Sequence, residues 1–172
     1  LYDFNGTYAD AGYIAPGSGY WVRAYETGDV TFTKAATAAK TREFQRFTDV
    51  NTLKVTNGNG HKTIPLYFGL TIADEKERLS YSMPPAPPEG AFDVRFANAW
   101  RYIENSGSLA IQDESKELTI AYEIVDGSQW ILSGATQQLL EGSGEITLTG
   151  DISGLTLNKA GADLIPNAFA LS

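Results

Sequence analysis

The sequence predicts an all-β fold, and three observations carry that prediction. Apolar and polar residues alternate with a period of two in several segments; Leu118, Ile120, Tyr122 and Ile124 fall on one face of a strand. Gly, Asn-Gly and Asp-Gly punctuate these segments at short intervals and supply the positive-φ residues that tight turns require. The chain also carries three Trp, nine Tyr and eight Phe, flat side chains that pack well on a pleated surface.

The first half reads as short strands around turns. Leu1 to Phe4 is strand-like from its first residue. Residues 19–24 (Gly-Tyr-Trp-Val-Arg-Ala) form an aromatic strand, and residues 29–33 follow a Thr27-Gly28 turn, so the two are expected to pair as a hairpin. Residues 35–46 are the best helix candidate, although they lack an apolar stripe at helical spacing. Residues 53–56 and 62–72 flank Asn57-Gly58-Asn59-Gly60 and predict a second hairpin. Pro65 cannot donate to a ladder, which predicts an edge or a bulge there. Residues 73–78 form a charged turn or short helix. Pro84, Pro85, Pro87 and Pro88 hold the next segment extended, a strap whose ordering loses little entropy.

The second half is more regular. Strand signals at 117–124, 130–132, 145–149 and 154–157 are separated by Asp126-Gly127 and Gly142-Ser143-Gly144. Short strands at this spacing predict a β-sandwich. The expected organisation is two packed β-sandwich-like units. The first, residues 1–96, holds the Gly-Tyr-Trp-Val hairpin and the strap; the second, residues 97–160, is immunoglobulin-like. Residues 161–172 contain Pro166 and no alternation, and read as a linker.

Composition narrows function. The net charge of −8 over 172 residues repels phosphate backbones and anionic lipid, which argues against nucleic acid and membrane surfaces as partners. The absence of cysteine excludes disulfides, thiolate metal sites and cysteine nucleophiles. No apolar run approaches the roughly 20 residues that span a bilayer.

Catalytic signals are sparse. His61, the single histidine, sits beside a turn, and no Gly-x-Ser-x-Gly surrounds a serine, so His61 reads as an exposed turn residue. The carboxylates Asp74, Glu75 and Glu77, and Asp113, Glu114 and Glu117, lie in charged turns and read as solvated. Neither group has calcium-loop spacing, which leaves Asp93, Asp126 and Asp151 on separate loops as an alternative set. No catalytic, metal or cofactor residue is assigned, and the chain is expected not to be an enzyme. Trp21 and Trp130 lie in apolar strands and read as core anchors. Trp100 and Tyr102, two apart and therefore on one strand face, form with Tyr13 and Tyr20 a candidate surface for stacking on sugar rings.

Three stretches resemble a known family. The first is Leu1-Tyr2-Asp3-Phe4-Asn5-Gly6-Thr7-Tyr8 together with Pro16-Gly17-Ser18-Gly19-Tyr20-Trp21-Val22, similar to a "YxFNGxY … PGKGYWV" pattern with Ser18 in place of Lys. The second runs from Tyr81 to Phe96 and is similar to a "PPxPPxGxFDxRF" signature. The third is the ending Ile165-Pro166-Asn167-Ala168-Phe169-Ala170-Leu171-Ser172. Together they resemble modules near the C-termini of large secreted proteins of Bacteroidetes, Chlorobi and related phyla, exported by the type IX secretion system. In such proteins the third phrase precedes a type A sorting domain. The resemblance implies an extracellular or cell-surface location within a larger secreted polypeptide, and with the sparse catalytic signals the favoured expectation is a non-catalytic structural or adhesive role. Two alternatives accompany it: a carbohydrate-binding module that engages polysaccharide, and a fibre subunit joined to like subunits by strand addition.

Overall fold

Strand alternation and turn chemistry together determine which segments pair. The computed structural model describes residues 1–4, 7–24, 26–31 and 49–161. The expected strand end at Phe32 and Thr33, the helix over 35–46 and the linker over 162–172 lie outside the described residues. In chain order the strands are β1 (Tyr2–Phe4), β2 (Tyr8–Asp10), β3 (Tyr20–Trp21), β4 (Asn51–Asn57) and β5 (Leu66–Phe68). A five-residue helix, α1 (Glu75–Leu79), comes next. It is followed by β6 (Asp93–Phe96), β7 (Tyr102–Ile103), β8 (Ser106–Gln112), β9 (Glu117–Glu123), β10 (Trp130–Ser133), β11 (Gln137–Leu140), β12 (Ser143–Thr149) and β13 (Thr156–Lys159).

The fold is an all-β, sandwich-like arrangement. One five-stranded sheet runs β11-β10-β13-β8-β6, and the other runs β12-β9-β4-β5-β7. Their inner faces share one core: Val94, Phe96, Trp130, Leu132 and Leu157 meet Leu53, Val55, Phe68, Leu118 and Ile120. Trp130 is fully buried, and its ring meets Phe68 edge-on at 4.9 Å between centroids. Burying each such side chain contributes about 1.5–3 kcal/mol. A third, smaller sheet, β2-β1-β3, sits beside the sandwich.

The boundary expected between Phe96 and Ala97 does not separate two cores. β4 pairs with β9, β5 with β7 and β6 with β8, so each sheet contains strands from both halves. Residues 97–160 alone therefore lack the β4 and β5 that join β9 to β7, and do not close an immunoglobulin-like sandwich by themselves. Buried residues from both halves belong to one cluster.

Two local expectations also change. β3 pairs antiparallel with β1, with Tyr2 opposite Trp21, and residues 29–31 form no strand with it. The Pro16-Gly17 turn returns the chain to β1, so the nearest segment in sequence is not the partner. Trp21 is 43% exposed and is no core anchor, because β3 is a two-residue edge strand of the small sheet.

The second hairpin forms as the turn residues require. Asn57 Oδ1 accepts the backbone N–H of Asn59 and of His61, and Gly60 takes φ +81°. Leu53 lies opposite Leu66 and Thr56 opposite Lys62. Lys54 and Val55 on one side thus face Thr63, Ile64 and Pro65 on the other, which is a bulge at Pro65.

β6 is buried on both faces. Val94 and Phe96 point into the core, while Asp93 and Arg95 point outward beneath the strap. The Arg95 guanidinium donates to Asp93 and to the carbonyl oxygens of Pro84 (2.6 Å) and Pro85 (3.5 Å).

The small sheet docks through Tyr2, which packs with Tyr8, Ile64 and Met83. Arg101, from the loop before β7, donates to both carboxylate oxygens of Asp10 at 3.1 Å and to Pro65 O at 3.3 Å. Its guanidinium also lies over the rings of Tyr2 and Tyr67. No helix among the described residues is long and apolar enough to cross a membrane.

Candidate functional site

β7 is an edge strand that runs parallel to β5 and places Tyr102 beside Tyr67 and Ile103 beside Phe68. Phe68 and Ile103 belong to the core, so the alternation of a strand turns Tyr67 and Tyr102 to the outer face. Trp100 bridges to Ser82 one step earlier and shares that face with Tyr102. The turn before it is shaped by Ala99 at φ +61° and by Asn98, whose Oδ1 accepts the Trp100 N–H at 3.0 Å.

A ladder of edge-on rings results. Tyr67 meets Tyr81 at 5.9 Å, Tyr81 meets Tyr102 at 5.7 Å, and Tyr102 meets Trp100 at 6.1 Å between centroids. Each such pair adds about 0.5–1.5 kcal/mol beyond area burial. Arg78, projecting from α1, lies over the Trp100 ring at 5.6 Å. α1 starts where it does because Asp74 caps it, accepting the Glu77 N–H at 2.8 Å.

The outer end of the ladder opens into a cleft of about 380 Å³, lined by Arg78, Asn98, Trp100, Tyr102, Glu104 and Asn105 among others. Glu104 is held from behind, its Oε1 accepting the Thr71 hydroxyl at 2.6 Å. Burial pushes the Tyr102 phenol up in pKa, Arg78 pulls it down and Glu104 pushes it up, with a raised net result. The phenol therefore stays a hydrogen-bond donor at neutral pH. The cleft thus presents aromatic surface ringed by an amide pair, a carboxylate and a guanidinium. A larger depression of about 680 Å³ lies between residues 23–24, 26–30 and α1, and no aromatic side chain among the described residues lines it.

Of the four stacking candidates, the structure brings Trp100 and Tyr102 together at this cleft. Tyr13 is 55% exposed in the loop after β2, Tyr20 accepts the Ala15 N–H on its hydroxyl at 2.8 Å, and neither lines the cleft. Glu104 was legible in principle as the next residue in the period of two set by Trp100 and Tyr102, whereas Asn98 lies in the turn that precedes them. Arg78 carries no such signal, because it arrives from a separate element.

The remaining chemical candidates have structural partners. His61 is exposed and its backbone is tied to Asn57. Asp93 holds Arg95, which removes it from any loop calcium set. Asp126 and Asp151 each accept the N–H and the hydroxyl of the serine two residues on. No group of three or more His, Cys, Asp or Glu able to hold a metal occurs among the described residues.

Comparison with known proteins gives no match: no protein family, no curated protein and no solved structure aligns with this chain.

Proposed function

We propose that this chain is a non-catalytic structural or adhesive module of a secreted or surface-attached bacterial protein, acting outside the cell. The observation that carries the proposal is one core closed by strands from both halves, with the strap and the small sheet pinned onto it by Arg95 and Arg101. Such cross-ties suit a body that keeps its shape under load while it presents a surface. The resemblance of the three sequence stretches to secreted accessory modules supports the location.

Excision of this chain from its parent polypeptide tests the reading. The parent is expected to lose attachment of the cell to its surface or matrix while any activity of its other domains persists. Unchanged attachment, or turnover of a substrate by the isolated chain, would refute it.

A further inference from the structure

Resting on the adhesive reading, we propose that the cleft at Trp100 binds a neutral pyranose unit of a glycan. A pyranose ring has an apolar C–H face and a rim of hydroxyls, so it needs aromatic surface to rest against and planar polar groups beside it. The cleft has that arrangement. Trp100 and Tyr102, whose rings stand at 67° to each other, supply two apolar sides of it, and Asn98, Glu104 and Asn105 stand at its border.

The hydrogen-bonding capacity at the border is directed. Asn98 Oδ1 is taken by the Trp100 N–H, so its amide N–H groups remain to donate to a hydroxyl. Glu104 uses Oε1 on Thr71, and Oε2 remains to accept from one. A volume near 380 Å³ is at the small end of ligand sites, roughly 300–1,000 Å³, and suits a short stretch of glycan.

Two features select a neutral sugar over other occupants. Arg78 is the cation of the cleft, and it is engaged on the Trp100 ring while Glu104 stands opposite with a negative charge. With −8 over the whole chain, a polyanionic glycan would be repelled on approach. An added peptide strand would need a backbone ladder, and β7 offers an edge of only two residues.

The test is an NMR titration of the whole chain with neutral tri- and tetrasaccharides: β-1,4- and β-1,3-glucans, α-1,4-glucan, mannan, xylan and chitin fragments. One class is expected to shift the Trp100 indole N–H and the Asn98 and Asn105 side-chain amides saturably, with the Trp21 and Trp130 indoles unmoved. Trp100→Ala is expected to weaken that binding at least about tenfold, and Glu104→Gln several-fold, with the thermal midpoint of Glu104→Gln unchanged. Absence of saturable shifts at Trp100 with every sugar, or equal affinity in Trp100→Ala and Glu104→Gln, would overturn the proposal. So would Trp100-dependent binding of peptides in place of sugars. Attachment of the parent protein that survives Trp100→Ala but is lost on excision would sink the sugar site while leaving the adhesive reading intact.

Discussion

Arg95 is 6% exposed, and its guanidinium lies between the Asp93 carboxylate and two strap carbonyls. The desolvation cost of a buried charge of this kind is offset only by its partner, and removing one member leaves the other uncompensated. Arg95→Ala is therefore expected to lose about 3–5 kcal/mol in urea unfolding, because Asp93 is left buried and unpaired. At Gly69, φ is +74° and an added Cβ would lie 2.9 Å from Asn51 Nδ2 and 3.3 Å from the Trp130 ring. Gly69→Ala is expected to cost about 1–3 kcal/mol for the backbone strain alone, read from the same unfolding curves. Asp126 titrates below the usual carboxylate range: partial burial pushes it up, but hydrogen bonds from the Ser128 hydroxyl, the Ser128 N–H and Asn51 outweigh that. A depressed folded pKa stabilises the fold at neutral pH. That contribution is complete above the unfolded value of about 3.9 and disappears as pH falls through the lower folded value. Asp151, held by Ser153, acts in the same direction. The double variant Asp126→Asn/Asp151→Asn is expected to show a shallower loss of urea midpoint between pH 5 and pH 2 than the unaltered chain; an identical slope would contradict the assignment.

Among the elements, those that alternate strongly were legible. β9 and β12 announce themselves through Leu118, Ile120 and Ile146, because one face of each must enter the core. β8 and β11 were not legible. Ser106-Gly107-Ser108 and Gln137-Gln138 are polar and small, and these strands are held by their neighbours' ladders more than by buried side chains of their own. The partner of β3 was hidden for another reason: pairing is a contact at a distance, and a turn residue such as Gly28 marks a bend without naming what lies across it. The site divides in the same way. The shared face of Trp100 and Tyr102 follows from a period of two, whereas Arg78 reaches them only because α1 packs nearby. α1 has five residues and depends on its Asp74 cap, so Asp74→Ala is expected to cost about 0.5–2 kcal/mol of local helix stability. The ¹³Cα shifts of residues 75–79 should then move toward coil values, and the Trp100 indole signal should move with them as Arg78 leaves the ring.

At the scale of the whole molecule, the small sheet and the sandwich differ in how firmly they are held. Arg101 is buried but its partner Asp10 is 40% exposed on its side chain, so a broken pair leaves a carboxylate that water can reach. Arg101→Met is thus expected to be milder than Arg95→Ala in global stability. Its effect should be local: chymotrypsin should cut faster at Phe4 and Tyr8 while residues 49–161 stay resistant. The sandwich itself has no such seam, because each five-stranded sheet draws strands from both sides of Phe96. This single core underlies the edge strand at which the cleft lies. Native-state hydrogen exchange in rising urea tests it most directly. With one core, the amides of Leu53 and Val55 in β4 and those of Ile120 in β9 and Leu132 in β10 are expected to exchange with one common free energy, equal to that of global unfolding. Protection of Ile120 and Leu132 persisting after Leu53 and Val55 have exchanged would show two separable units and contradict it.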